Sequence, residues 1–284
     1  MSTLKLVSRN WLSCGDIGGF AVRVCGILGS ACRYQPAMND QSDIPMRRIA
    51  TIRSCYPQRF GIPRQAGLVK TASATVNFEA SRDNELAVRD IESFSHLWII
   101  FLFHKQNYTG FKPLIQPPRL GGKKTMGVYA TRSPNRPNPI GLSAVLLNRV
   151  EYGEQEIRLH VLGGDFLDGT PVLDIKPYVP FADSIPEASS EWAVAAEPPM
   201  PVEWSASATA ELLIADQHLA TEQTGVTSGL QLLIEETLAL DPRPAHERHK
   251  DGKEDQTWGM RFEHVDVKWR VQCGIAEIIS VVVV

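Results

Sequence analysis

The sequence predicts a mainly β protein: a small antiparallel β-barrel followed by a small α+β domain. Three observations carry that prediction. Between residues 46 and 183, short apolar-rich segments recur with Pro and Gly between them, as in an antiparallel sheet or small barrel. No segment there joins a strand through a Gly-rich turn to a long amphipathic helix, as a doubly wound dinucleotide-binding sheet requires. Beyond residue 204 the apolar spacing becomes helical before returning to alternation. With 284 residues, 43% of them apolar, the chain can bury one large core or two modest ones, which excludes disorder and a disulfide scaffold as overall descriptions.

Residues 1–45 contain Trp11, Phe20 and a stretch of small apolar residues but no clean period, and they read as an appendage. Met46 or Met38 is an alternative translation start, because the strand-like Arg48-Ile-Ala-Thr-Ile-Arg53 opens immediately after Met46. Residues 46–183 form the expected barrel, with strands at Ile49–Ile52, Ala74–Phe78, His96–Phe103, Gly127–Tyr129, Ser143–Val150, Glu156–Leu162 and Val172–Ile175. Glu85–Ile91 is the one short helix there. The almost wholly apolar run from Phe94 to Phe103 predicts a strand buried on both faces. Residues 184–204, rich in Pro, Ala, Ser and Glu, read as a linker or extended wrap. Residues 205–284 form the α+β domain, with helices over Ala208–Leu219 and Gly229–Leu240 and a single alternating strand over Met260–Val271.

The net charge of −3 conceals a gradient: residues 1–45 carry +1, residues 46–183 carry +6 and residues 184–284 carry −10. Between Glu92 and Glu151 there is no carboxylate, while Lys105, Lys112, Arg119, Lys123, Lys124, Arg132, Arg136 and Arg149 all fall inside that stretch. A basic segment of this length faces an anion, or else a solvated loop neutralised by the acidic third. No uncharged apolar run reaches the roughly 18 residues needed to span a bilayer, since the best, Gly18–Ala31, is cut by Arg23. The five cysteines are odd in number and form no C-x-x-C pair, which suits a reducing compartment and offers no zinc site.

Chemistry concentrates in three Pro/Gly loops. Thr131-Arg-Ser-Pro-Asn-Arg-Pro-Asn-Pro-Ile-Gly-Leu-Ser143 places Arg132, Arg136, Asn135 and Asn138 on a backbone too irregular to pair in a ladder, which makes a rigid cradle. Gly61-Ile-Pro-Arg-Gln-Ala-Gly67 carries a polar pair. Gly163-Gly-Asp-Phe-Leu-Asp-Gly-Thr-Pro-Val-Leu-Asp-Ile-Lys-Pro177 carries Asp165, Asp168 and Asp174. The apolar strand ends on the polar His104 and Lys105. The three aspartates have no His or Cys at ligand spacing, so no metal is expected.

Five motifs in order give the chain a resemblance to a known family. Pro63-Arg-Gln-Ala-Gly-Leu-Val69, Phe94-Ser-His-Leu-Trp98, Pro117-Pro-Arg-Leu-Gly-Gly122, Thr131 to Gly141 and Asp168-Gly-Thr-Pro-Val-Leu-Asp-Ile-Lys-Pro-Tyr178 resemble those of the TsaA-like, or TrmO, proteins. The similarity runs from about Met46 to the end and includes Asp241-Pro-Arg-Pro-Ala245; His246 departs from the Tyr common in relatives. The resemblance implies a non-Rossmann, S-adenosylmethionine-dependent methyltransferase that modifies the exocyclic N6 of threonylcarbamoyladenosine at tRNA position 37. It implies cofactor contacts at Pro63, Arg64, Gln65, His104, Lys105, Arg132, Leu142 and the turn Asp168, Gly169, Thr170 and Pro171. It also implies a homodimer in the cytoplasm.

Lys112, Arg119, Lys123, Lys124 and Arg136 are the candidate RNA contacts, because phosphates on either side of a splayed base would meet the carboxylate-free segment. The target nitrogen is conjugated to a carbonyl and needs a base; Asp165, Asp168 and His104 are the candidates by chemistry. Cys55 lies in no motif, which argues against a cysteine relay. The competing readings are a non-catalytic S-adenosylmethionine- or RNA-binding adaptor on the same barrel, and a methyltransferase of a small anion.

Overall fold

The computed structural model describes residues 44–105, 111–117, 124–193, 198–222, 229–244, 247–248 and 256–284, and Met46–Val284 forms one compact unit. Six antiparallel strands close into a barrel: β1 (Ala50–Ser54), β2 (Ser73–Glu79), β3 (His96–Leu102), β6 (Ile140–Tyr152), β7 (Glu156–Leu162) and β8 (Thr170–Pro177), in the order β1-β2-β7-β6-β3-β8. Closure leaves no free edge, and alternation sends Ile52, Val76, Ile99, Val145, Leu159 and Val172 inward. A small hairpin of β4 (Leu114–Ile115) and β5 (Met126–Gly127) stands apart from the barrel.

β3 is not buried on both faces. Leu97, Ile99 and Phe101 point into the core while Trp98, Ile100 and Leu102 are half-buried, since a barrel strand has one inner and one outer face. Its continuous hydrophobicity has another source: the outer face is partly covered, Trp98 packing at 5.6 Å from the Tyr178 ring. β6 is longer than the sequence suggested. Ile140 to Leu142, ahead of the strand start expected at Ser143, pair in register with Leu102 to Ile100, so the three prolines confine irregularity to residues before 140. β6 serves β3 with its first half and β7 with its second, and its register shifts between Leu147 and Arg149.

The helix expected at 85–91 is α1 (Arg82–Ala87), begun by Ser81, whose hydroxyl accepts the Asn84 amide; a 3₁₀ turn at Ile91–Ser93 follows. The strand expected at 127–129 is only β5, after which Val128–Ala130 turns as a 3₁₀ helix. α2 (Pro180–Asp183) ends the barrel segment.

The second sheet orders as β10-β11-β12-β9: Trp258–Phe262, Val265–Gln272, Ile275–Val283 and Val202–Trp204. The single strand expected over 260–271 is a hairpin, broken at Glu263 with φ 28° and at His264. That break explains how Phe262 and Val265 are both buried although three residues apart. β12, absent from the sequence reading, closes the chain, and β9 pairs parallel to it from within the expected linker. Helices α3 (Ala206–Glu222) and α4 (Leu230–Ala239) agree in place with the two expected helices. Leu212, Ile234, Leu238, Val267, Trp269 and Ile278 build this second core, and the barrel-side residues Cys55, Tyr56, Val69 and Ala72 enter it.

Among the described residues no helix is long and apolar enough to cross a membrane.

Candidate active site

Register decides which end of the barrel carries the motifs. Ser54 at the end of β1 pairs with Ala74 at the start of β2, Leu162 at the end of β7 with Ser73, Leu102 at the end of β3 with Ile140 at the start of β6, and Ile52 with Thr170 at the start of β8. The 55–72, 103–139 and 163–169 segments therefore leave from one rim. Those segments contain nearly all of the singled-out residues, although they are separated by up to a hundred positions in sequence.

The 55–72 and 163–169 loops are tied together, and the 103–139 loop is closed at its base. The Gly67 amide donates to the Gly163 carbonyl at 2.8 Å and the Phe103 amide to the Pro139 carbonyl at 2.8 Å. The Asp168 turn is fixed from β1: its amide donates to the Tyr56 carbonyl at 2.9 Å, the Gly169 amide to the Ile52 carbonyl at 2.9 Å, and the Ser54 amide to Asp168 Oδ1 at 3.0 Å. Ser54 Oγ also donates to the Phe166 carbonyl at 2.7 Å. Gly169 has φ 78°, a conformation that side chains disfavour, and its open position lies next to His104: a Cβ there would stand 3.7 Å from His104 Nε2.

Arg132 and Gln65, from two different loops, meet: the guanidinium donates from Nη1 to Gln65 Oε1. Asp165 lies beneath them and accepts the Ser143 hydroxyl at 2.5 Å. Burial raises the Asp165 carboxyl above its usual range, against the opposing pull of Ser143, nearby amides and the Arg132 charge. Arg136 is spent inside its own loop, donating to the Thr131 carbonyl at 2.8 Å.

His104 sits between Thr170 and the Asp168–Gly169 turn. The Thr170 hydroxyl has one proton and places it on the Leu167 carbonyl at 2.6 Å, so at 3.4 Å from His104 Nδ1 it can only accept. With the ring proton on Nδ1, Nε2 would present a lone pair; Nε2 is buried and without a hydrogen-bond partner, beside the Asp168–Gly169 turn. Burial first and the Lys105 ammonium second lower the His104 pKa, opposed by Asp168, so the ring is neutral near pH 7.

Pro63 is buried, Gln65 half-buried, and Arg64, Lys105, Arg132 and Leu142 are exposed at this rim. Lys112 and Lys124 are exposed beside the small hairpin; Arg119 and Lys123 lie outside the described residues, as does His246. Ser143, Ser54 and Tyr56 were not singled out from the sequence. Ser143, a hydroxyl at an inward-facing strand position, carried a readable signal in the alternation of β6, whereas nothing local marks Ser54 or Tyr56. Burial pushes the Cys55 thiol up to about 12, so it supplies no thiolate. Among the described residues no three His, Cys, Asp or Glu side chains gather as a metal site.

The tRNA-methyltransferase O N-terminal domain matches residues 51–184, and the TrmO C-terminal domain matches residues 197–284. A tRNA (adenine(37)-N6)-methyltransferase of Escherichia coli (strain K12) is 43% identical over 230 residues, 81% of this chain and 94% of that protein. The chain belongs to the tRNA-methyltransferase O family. A crystal structure of TrmO from Pseudomonas aeruginosa superposes with a TM-score of 0.68 at 35% identity, covering 84% of this chain and 98% of that one. A Pyrococcus abyssi (strain GE5 / Orsay) protein named "Probable S-adenosyl-L-methionine-binding protein" is 42% identical over 137 residues, 48% of this chain and 69% of its own length. The TrmO matches agree with the fold read from the sequence: a mainly β chain with a closed antiparallel barrel followed by a second sheet with helices.

Proposed function

We propose that the protein is an S-adenosylmethionine-dependent tRNA methyltransferase that acts on the exocyclic N6 of threonylcarbamoyladenosine at position 37, beside the anticodon. The observation that carries this reading is the 43% identity to a tRNA (adenine(37)-N6)-methyltransferase across 94% of its length, with the motif loops converging on one barrel rim. A cytoplasmic homodimer is part of the same proposal and rests on family resemblance.

The rim suits S-adenosylmethionine on two counts. His104 Nε2 is a buried ring nitrogen without a hydrogen-bond partner, beside a glycine whose missing side chain leaves room for a ligand. Arg132 is held by the neutral Gln65 amide, so its cation can face a ligand carboxylate. Pro63, Arg64, Gln65, His104, Lys105, Arg132, Leu142 and the Asp168–Pro171 turn would hold the cofactor, which when bound supplies an electrophilic methyl group.

The chain's own residues then have separable tasks. Gln65 orients Arg132 for an anionic group. Asp165, held by Ser143 and neighbouring amides, ties the 55–72 and 163–169 loops to β6 and is a positioning residue. His104 is the base of this proposal: with the ring proton on Nδ1, facing the Thr170 hydroxyl, Nε2 takes the N6 proton. A ligand laid over Gly169 would approach this atom, which a side chain at 169 would cover.

Incubation of the purified protein with S-adenosylmethionine and tRNA from cells lacking it, followed by nucleoside mass spectrometry, tests the reading. Threonylcarbamoyladenosine should gain one methyl group. Cofactor binding with no RNA nucleoside methylated would favour the adaptor reading instead.

A further inference from the structure

We infer that Tyr129, with Phe111 beside it and Arg136 over its ring, forms a platform on which an unpaired base of the RNA substrate stacks. This rests on the tRNA methyltransferase reading. The Tyr129 and Phe111 rings lie 6.4 Å apart at 29°, and both are open to solvent, Tyr129 at 70% and Phe111 at 45%. Single exposed aromatics are ordinary; a fixed pair carrying a cation is not.

The platform is held rigidly from below. Val128 is buried, its amide donates to the Pro113 carbonyl at 2.9 Å, and the Thr131 amide returns to the Val128 carbonyl at 3.1 Å, so the 3₁₀ turn sets the Tyr129 ring direction. Arg136 Cζ stands 5.5 Å from the Tyr129 ring centre, and Nη1 is anchored to the Thr131 and Val128 carbonyls at 2.8 and 3.4 Å. The guanidinium is thus placed by backbone, and no carboxylate pairs with it among the described residues. Lys112 and Lys124 flank the pair, exposed and without an ion-pair partner among the described residues. Tyr129 is three residues from Arg132, so the platform runs straight into the rim that holds the proposed cofactor site.

An aromatic face with Lys112, Lys124 and Arg136 around it matches a polymer that alternates π-faces with phosphates, and single-stranded RNA is read in that way. Stacking tolerates any base, so the platform would seat a loop nucleotide flanking the modified adenosine and contribute affinity more than sequence choice.

Tyr129→Ala and Tyr129→Phe, compared with wild type in binding and methylation of tRNA purified from cells lacking the protein, over a salt series, test this. Tyr129→Ala should weaken tRNA binding, and raise the KM for tRNA, by about 5- to 150-fold. The slope of log Kd against log salt should stay unchanged, because no phosphate contact is lost. Lys124→Ala should lower that slope. Tyr129→Phe should bind tRNA as wild type does, and S-adenosylmethionine affinity by calorimetry should be unchanged in both Tyr129 variants.

Wild-type tRNA affinity in Tyr129→Ala would overturn the inference. A changed oligomeric state by light scattering would also overturn it, assigning the pair to an interface between copies. If wild-type protein itself neither bound nor methylated tRNA, the parent reading would fail with it; if wild type methylates and Tyr129→Ala matches it, only the platform fails.

Discussion

Gly61→Ala tests how the second domain holds the proposed cofactor rim. Gly61 has φ 96°, and a Cβ built there falls 1.9 Å from Met260 Sδ, in a methionine only 2% exposed. Two costs add. Forcing an alanine into that backbone region costs about 1–2 kcal/mol, and inserting a methyl against a packed side chain costs about 1–3 kcal/mol. At roughly 3 °C per kcal/mol for a unit of this size, the midpoint of thermal unfolding should fall by about 6–15 °C.

The steric part depends on Met260 and the backbone part does not, so Met260→Ala separates them. In a double-mutant cycle, Gly61→Ala with Met260→Ala should be less destabilised than the two singles summed, by about 1–3 kcal/mol. Because Gly61 opens the loop that ends at Gly67, affinity for S-adenosylmethionine should fall in the single variant and partly return in the double. Strict additivity, or an unchanged midpoint in Gly61→Ala, would refute the close approach.

Arg132→Ala should weaken S-adenosylmethionine binding by about 10-fold or more in calorimetry, because a charge-assisted contact is lost, and Arg132→Lys should restore only part of it; unchanged affinity would remove Arg132 from the site. His104 has its folded pKa lowered below the ordinary 6.5. The unfolded chain therefore binds more protons, and the stability this group contributes is present above pH 6.5 and lost as pH falls below it. Methylation should decline on the same acid side as Nε2 becomes protonated, and in His104→Gln both the acid loss of stability and that limb of the rate profile should flatten; a profile identical to wild type would exclude His104 as the base.

Punctuation made the rim legible in the sequence. Pro63, Pro134, Pro137 and Pro139 and the Asp168-Gly-Thr-Pro171 turn announce where ladders stop, and in a closed barrel those stops gather at an end. Legibility failed where the pattern depended on a distant partner. Ile140 to Leu142 read as loop because prolines precede them, yet β3 offers a ladder that these three residues can join. The hairpin at Glu263 was hidden because Phe262 and Val265 flank a two-residue turn without Gly or Pro, so the alternation slips one phase unannounced. β9 is only three residues long and follows a proline-rich stretch, and in β12 Glu277, the adjacent Ile278 and Ile279 and then Ser280 blur the alternation.

Tyr56 joins the parts that sequence alone kept separate. Its ring is 1% exposed in the second core, 6.0 Å from Phe262, and its hydroxyl meets Thr237 Oγ1 of α4 at 3.2 Å. Its carbonyl, on the barrel side, accepts the Asp168 amide. One residue is therefore packed by the C-terminal domain and sets the turn proposed to hold the cofactor. Two further clamps act in parallel: Glu236 of α4 accepts both the amide and the hydroxyl of Thr71, at 3.0 and 2.8 Å, and the Glu263 amide donates to the Cys55 carbonyl at 3.0 Å. All three fasten the 55–72 segment that leaves the end of β1. A six-stranded barrel fixes its strands by closure but leaves rim loops free, and here the freedom of the longest loop before the hairpin is removed by the second core. The C-terminal domain thus belongs to the architecture of the rim, because without it Gly61 to Gly67 would have neither Met260 to rest on nor Tyr56 and Thr71 to anchor its ends.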